Sequence, residues 1–249
     1  MEGRMNILKY LFGATLAVST AAQAHATPAS DESVQLNSYI LLDRTGSMNS
    51  IWDEALGSVN AYVDSVVTPD DGPDVANDIT FSVFDAQDGL QFDTLRRNVT
   101  GEDWQVITSD EVQPRGMTPL FDAIGRMVAL AEEDNPDKAV IVIMTDGHEN
   151  ASREFSRDNI REVLDRVEKR GWAVVFLGAE FASFGDADAA GVARTNQMAV
   201  SSERLGATME NLAQHNRAYA QGRSDSVEFD EEDRALAQED DVIQRRGTQ

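Results

Sequence analysis

The segment Ala139–Met144, with the sequence AVIVIM, is the most apolar run in the chain beyond its N-terminal region. A short apolar run that ends in polar residues is typical of a strand buried on both faces of a parallel sheet. Similar runs at Leu36–Leu42, Ile79–Phe84 and Ala173–Leu177 alternate with stretches whose apolar residues recur at helical spacing. This alternation predicts an α/β fold, with a doubly wound, mostly parallel sheet flanked by helices.

One domain over residues 33–222 accounts for the whole pattern. The turn-rich segment Thr68–Asp78 is predicted to be a loop, and Asp88-Gly89 a hairpin turn. Residues 98–115 show little regularity, and Gln197–Val200 is a weak candidate for the last strand.

The two ends of the chain differ from this domain. Residues 1–26 combine a short basic region, an apolar stretch and Ala-x-Ala sites, which predicts a cleaved signal peptide and an exported, periplasmic or secreted protein. Residues 27–32 are a short linker. Residues 223–249 are acidic and poor in apolar side chains, so we predict a flexible, solvated tail, with a short docked helix around Asp230–Leu236 as the alternative. No stable membrane insertion is expected after signal cleavage.

Composition excludes several kinds of function. The chain has 44 acidic and 21 basic residues, a formal net charge of −23. Nucleic acids and anionic membranes are therefore not expected partners, because both require clustered Lys and Arg. The absence of cysteine excludes disulfides, thiolate metal sites and cysteine nucleophiles.

Polar residues directly follow two of the predicted strands. Asp43-Arg44-Thr45-Gly46-Ser47 follows the first strand, and Thr145-Asp146-Gly147 follows the fourth, while Thr118 lies in a loop that leads into a helix. Ligands of open α/β sheets bind beyond the carboxyl ends of the strands, where the strand order reverses. With the common order 3-2-1-4-5-6, strands one and four meet at that reversal, and Asp43 and Asp146 would face one crevice.

The residue types indicate the chemistry of this crevice. Two carboxylates and three hydroxyls, without imidazole or thiolate, form a hard oxygen site that suits Mg²⁺, with Mn²⁺ or Ca²⁺ possible. Because Ser and Thr bring no charge, a carboxylate from a partner remains favourable at an open coordination position.

These motifs resemble those of von Willebrand factor type A domains. DRTGS at residues 43–47 matches the D-x-[ST]-x-S motif, RGMTPLFDAI at 115–124 matches the threonine loop, and MTDG at 144–147 contains the second aspartate. The similarity covers roughly Gln35 to Tyr219 and is greatest to compact, stand-alone bacterial or phage members, given the segments DGHENASREF and FLGA.

The resemblance implies a Rossmann-like fold and a metal-ion-dependent adhesion site. It assigns the five metal-coordinating positions to Asp43, Thr45, Ser47, Thr118 and Asp146. Thr45 replaces the commoner serine but keeps the hydroxyl. The expected function is a non-enzymatic protein-binding module, in which an Asp or Glu of a partner protein completes the coordination of the ion.

Other residues near these motifs have less certain roles. Arg44 and Met48 flank the first motif as candidate partner contacts. His148 is predicted to be an exposed loop side chain or part of the rim, while Glu149 and Asn150 stay ambiguous. Asp122 is predicted to cap the helix that follows Thr118 or to support the site indirectly, and not to coordinate the metal.

An enzymatic alternative rests on a second similarity. DRTGS followed by TDG also resembles the motifs of haloacid-dehalogenase-like phosphotransferases, in which the first aspartate, here Asp43, is the nucleophile and Mg²⁺ binds beside it. Lys138 would then be that family's lysine. Two features argue against this alternative: Thr118 opens a helix, and Thr45 stands where most phosphatases of that kind have an acid.

Overall fold

The computed structural model describes residues 33–180 and 184–247, excluding the side chains of residues 246 and 247. The predicted signal peptide and linker lie outside these ranges. The described residues form six strands and seven α-helices. The strands are β1 Val34–Asp43, β2 Val75–Ala86, β3 Leu90–Thr100, β4 Ala139–Thr145, β5 Ala173–Ala179 and β6 Gln197–Val200. The helices are α1 Trp52–Val66, α2 Leu120–Asp134, α3 Arg157–Lys169, α4 Gly185–Ala190, α5 Leu205–Ala220, α6 Glu231–Ala237 and α7 Glu239–Gly247.

The strands form a single six-stranded sheet in the order β3-β2-β1-β4-β5-β6. Neighbouring strands are parallel except for β2 and β3, which pair antiparallel. The predicted α/β class and strand order are confirmed. The order reverses between β1 and β4, so the loops after these two strands share one edge of the sheet.

The sheet is buried on both faces because its central strands carry apolar side chains on both. In β4, Val140 and Val142 pack into one apolar layer, while Ile141 and Ile143 pack into the other. Successive side chains of a strand point to opposite faces, so an uninterrupted apolar run supplies both layers. Helices α1 and α5 cover the first face, and α2 and α3 cover the second.

Strands β2 and β3 are longer than the sequence indicates. β2 begins at Val75, inside the predicted loop, and β3 continues to Thr100, into the segment that shows little regularity. The side chains of β3 are exposed or half-buried, so its backbone pairing with β2 has no hydrophobic signal in the sequence. The predicted turn is present, with positive φ at Asp88 and Gly89.

The segment after Gly222 differs from the prediction of a solvated tail. Within residues 223–247, α6 and α7 are folded, and the side chains of Val227, Phe229, Ala237 and Val242 are buried in the two apolar layers. An Asp230–Asp233 capping box starts α6, in agreement with the alternative of a short docked helix. The few apolar residues are separated by acidic ones, so hydropathy alone underestimates how well they pack.

The described helices are all too short or too polar to cross a membrane.

The docked segment makes a prediction for stability. Phe229→Ala should lower the free energy of unfolding by about 3–5 kcal/mol, because it removes a buried aromatic ring. The exposed neighbour Asp225 is the matched control. Asp225→Ala should change the free energy of unfolding by less than about 0.5 kcal/mol. Chemical denaturation of the two variants checks this; equal and negligible effects would mean that the segment is solvated.

Candidate metal site

Asp43 ends β1 with no exposed surface. Its Oδ1 accepts a hydrogen bond from the Thr45 backbone N–H at 2.7 Å, and its Oδ2 accepts one from the Thr145 hydroxyl at 2.6 Å. Burial raises the pKa of Asp43 to about 7; these hydrogen bonds lower it, and the nearby charge of Asp146 raises it further. The carboxylate is thus fixed in position and poorly compensated in charge.

A chain of hydroxyl contacts joins Asp146 to the other predicted site residues. Ser47 Oγ donates to Asp146 Oδ1 at 2.6 Å and lies 3.1 Å from Thr45 Oγ1. Thr118 Oγ1 lies 3.4 Å from the same Thr45 hydroxyl. The structure therefore brings together all five residues that the sequence analysis singles out, from three separate loops.

Gly147 lies close to three of these side chains. A Cβ atom at this position would lie 3.2 Å from Thr118 Oγ1, 3.7 Å from Ser47 Oγ and 3.9 Å from Asp43 Oδ2. The absence of a side chain keeps open a small space onto which three oxygen atoms converge. Such a space suits a small cation with oxygen ligands.

A metal ion at this position would need hydroxyl ligands as well as carboxylates. Among residues 33–180 and 184–247, three or more His, Asp or Glu side chains nowhere cluster closely enough to hold a metal ion by themselves. Asp43 and Asp146 provide charge, and Thr45, Ser47 and Thr118 provide neutral oxygens. This donor set fits a hard cation such as Mg²⁺ better than Zn²⁺, which favours nitrogen and sulfur.

Asp122 supports the loop after β4 from inside the protein. It is almost fully buried in the first turn of α2, and its carboxylate accepts from the backbone N–H groups of Arg153, Glu154 and Phe155 at 2.7–2.9 Å. Asp122 therefore has a structural role, in which it connects α2 to the segment that precedes α3.

Glu149 and Asn150, whose roles the sequence left open, fix the loop that carries Thr118. Glu149 accepts from the backbone N–H groups of Phe121 and Ser152 at 2.9 and 2.8 Å. Asn150 Oδ1 accepts from the Thr118 N–H at 2.9 Å, and the Asn150 N–H donates to the Thr118 carbonyl at 3.0 Å. The backbone on both sides of the Thr118 side chain is therefore held.

Arg44 is buried, which contradicts its interpretation as a partner contact. Its Nε lies 2.7 Å from Asp85 Oδ1, and Arg115 Nε lies 3.2 Å from Asp85 Oδ2. The Arg115 N–H also donates to the Arg44 carbonyl at 2.7 Å. Asp85 thus ties the loop after β1 to the loop that contains Thr118. The sequence analysis missed Asp85, although an acid within the apolar end of β2 is a detectable signal.

Of the other residues near the motifs, Met48 differs from its prediction and His148 agrees with it. Met48 is fully buried, because the 3₁₀ turn Gly46–Ile51 directs its side chain into the core. Met117 is 54% exposed beside Thr118. His148 is an exposed loop side chain, as one of its two predicted roles requires, and its Nδ1 lies 3.2 Å from Asp186 Oδ2.

The structure argues against the phosphotransferase alternative. Lys138 lies just before β4, at the opposite end of that strand from Asp146. Its Nζ donates to the carbonyls of Tyr219 and Ala220 at 2.8 and 3.2 Å. It therefore cannot serve as a catalytic lysine beside Asp43, and the comparisons below give no support to this alternative either.

No protein-family model and no curated protein sequence matches the chain. Solved structures do match it. The von Willebrand factor domain of the type V pili tip protein Mfa5 from Porphyromonas gingivalis has a TM-score of 0.57 and 10% identity, with 76% of this chain and 97% of that chain covered. The pilus adhesin SpaC from Lactobacillus rhamnosus GG gives 0.59 and 11%, over 74% of this chain and 30% of that chain. Proximal thread matrix protein 1 from the mussel byssus gives 0.53 and 16%, over 73% and 46%.

The chain therefore spans less than half the length of the pilus adhesin and of the byssus protein. At 10–16% identity these matches establish the fold and not the function. The protein contains a domain with the von Willebrand factor type A fold.

The support from Asp122 makes a prediction. Asp122→Ala leaves three backbone N–H groups without their carboxylate and should lower the free energy of unfolding by about 3 kcal/mol or more. Asp158, exposed in the first turn of α3, is the matched control, and its loss should cost at most about 1 kcal/mol through the helix dipole. Denaturation curves that show equal losses would mean that Asp122 acts only on the dipole.

Proposed function

We propose that the protein is a divalent-metal-dependent protein-binding module. One cation, Mg²⁺ or alternatively Mn²⁺ or Ca²⁺, would be held by Asp43, Thr45, Ser47, Thr118 and Asp146. An Asp or Glu of the partner protein would complete its coordination. The observation that carries this proposal is that oxygen atoms of Asp43, Ser47 and Thr118 converge beside Gly147, while Thr45 and Asp146 contact these residues through hydrogen bonds. Asp43 is fully buried and Ser47 is exposed.

The charge of the chain makes the cation necessary for such a partner. With a net charge of −23 and two carboxylates in the site, the surface repels an approaching Asp or Glu side chain. A bound divalent ion would supply the positive charge that offsets Asp43 and Asp146 and attracts the partner carboxylate. Partner binding should therefore depend on the metal, and not only be strengthened by it.

The surroundings of the site suit contact with a protein surface. Ser47 and Asn49 are exposed, and Met117 presents one of the few large apolar side chains that are exposed in the described part of the chain. A flexible apolar side chain beside a polar centre is a favourable contact in interfaces. Burial of Met117 would add apolar contact area to the metal-mediated contact.

Adhesive proteins among the structural neighbours support this class of function. SpaC is a pilus adhesin, and Mfa5 is a pilus tip protein. We propose no catalytic role, because the carboxylates of the site are assigned to metal binding. We also propose export to the periplasm or beyond the cell, on the basis of the signal-like features of residues 1–26.

Metal binding should stabilise the fold measurably. At a concentration about 100 times the dissociation constant, a bound ion adds about 2.7 kcal/mol. For a domain of this size, that raises the melting temperature by roughly 5–10 °C. Thermal unfolding of the wild type with Mg²⁺ should show this rise, and EDTA should reverse it.

Three variants separate the site from non-specific metal effects. Asp43→Asn removes the charge but keeps an acceptor for the Thr45 N–H, and Gly147→Ala adds a methyl group to the open space without removing a ligand; both should abolish the rise. Asp88→Asn, at a fully exposed carboxylate, should leave it unchanged. Identical Mg²⁺-dependent rises in all four proteins would contradict the proposed site.

Partner capture tests the second half of the proposal. Immobilised wild-type protein should retain a partner from the envelope fraction of the source organism in Mg²⁺ and release it in EDTA, whereas Asp43→Asn should not retain it. Replacement of the critical Asp or Glu of that partner by Asn or Gln should abolish retention. A partner that binds both baits equally in EDTA would show that recognition does not use the metal.

A further inference from the structure

Strand β6 is the last strand of the sheet, and the C-terminal segment covers its outer edge. Its inner edge pairs with β5 from Gln197 to Val200. An uncovered edge strand presents unpaired N–H and C=O groups that can pair with another chain. Here residues 229–239 form hydrogen bonds with backbone groups of alternate residues from Thr195 to Ser201.

These hydrogen bonds fall on every second residue, as they would with a neighbouring strand, although the C-terminal segment is not a strand. The Phe229 N–H donates to the Thr195 carbonyl at 2.8 Å, and the Ser201 N–H donates to the Ala237 carbonyl at 3.0 Å. Between these two backbone hydrogen bonds, side chains of the C-terminal segment bond to the backbone of β6. Arg234 and Arg194 donate to the Gln197 carbonyl at 3.0 and 2.6 Å, and Glu239 accepts from the Ala199 N–H at 3.0 Å.

Arg234 and Glu239 act as one unit. Their charged groups lie 2.8 Å apart, and Arg194 approaches Glu239 at 2.9 Å from the other side. Glu239 is almost fully buried, so its charge relies on these two arginines and on the Ala199 N–H. The pair presents a donor and an acceptor to β6, as a neighbouring strand would.

The C-terminal segment also packs against both faces of the sheet. Phe229 and Ala237 pack into the apolar layer on one face, and Val242 packs into the layer on the other. Gln238, with φ of 57°, forms the turn between α6 and α7. The segment is therefore anchored on both faces and crosses the edge at the point where Glu239 meets Ala199.

We propose that the C-terminal segment is a built-in cover for the β6 edge, and that the edge, once bared, pairs with β6 of a second copy of this chain. The groups that the Arg234–Glu239 pair now occupies are the Gln197 carbonyl and the Ala199 N–H. Two antiparallel copies related by a two-fold axis through Met198 would bring the Ala199 N–H of each to the Gln197 carbonyl of the other.

This pairing has a consequence for the site after β1 and β4. Antiparallel β6 strands place the carboxyl edges of the two sheets on opposite sides of the dimer. The two metal sites would then face away from each other, so that one dimer could join two partners. The cover would keep the protein monomeric until it is displaced.

Paired variants of the full chain test the proposal. Arg234→Ala/Glu239→Ala removes the acceptor for the Ala199 N–H, one of the two arginine donors to the Gln197 carbonyl, and the ion pair between Glu239 and the other donor, Arg194. Arg166→Ala/Glu132→Ala removes an exposed ion pair of 2.8 Å between α3 and α2 and is the matched control. Sedimentation equilibrium should show a twofold higher mass for the first variant as its concentration rises, and a monomer for the control and the wild type.

Hydrogen exchange of the Ala199 amide links any dimer to the edge. This amide should be protected in the wild type, exposed in dilute Arg234→Ala/Glu239→Ala and protected again in its dimer. If that variant does not fold, Glu239→Gln is the milder test, with weaker dimerisation in the same assay. A folded variant that stays monomeric, forms polydisperse aggregates or dimerises without protecting Ala199 would overturn the proposal, as would dimerisation of the control.

Discussion

The buried carboxylate of Asp43, at the end of the central strand, is the constraint around which the loops of this protein are organised. Burial raises its pKa to about 7, and the Thr45 N–H and the Thr145 hydroxyl hold it in one orientation. Asp146 reaches the same centre through Ser47. A shared cation would stabilise two carboxylates at the carboxyl edge of adjacent strands, and we propose this as the basis of function.

Three other acids, of which Asp122 and Asp85 are buried and Glu149 is half-buried, have only structural contacts. Asp122 and Glu149 are surrounded by backbone N–H donors, and Asp85 is neutralised by two arginines. Each of them holds a loop in place and leaves its oxygens occupied. Asp43 differs because its Oδ2 also lies 3.9 Å from the position that a Cβ of Gly147 would occupy, beside the open space. Precise support of the loops by the structural acids allows neutral hydroxyls to converge on one point.

Much of the fold and the grouping of the site residues could be predicted because their signals are local. Apolar runs with polar residues at their ends identify strands and the edge at which the loops meet. The C-terminal segment could not be predicted, since isolated apolar residues such as Phe229 pack against surfaces assembled from distant parts of the chain. Arg44 and Met48 were misjudged because loop sequence does not show which side chains turn inward. Asp85 acts through Arg44 and Arg115, which lie in two loops distant from it in the sequence.

Calorimetric titration of the protein with Mg²⁺ or Mn²⁺ tests the central claim most directly. The account predicts binding of one ion per wild-type chain at millimolar concentrations or below, and no corresponding binding to Asp43→Asn. Absence of any binding to the folded wild type, or an identical titration of the variant, would contradict a metal site at the end of β1 and leave only the fold established.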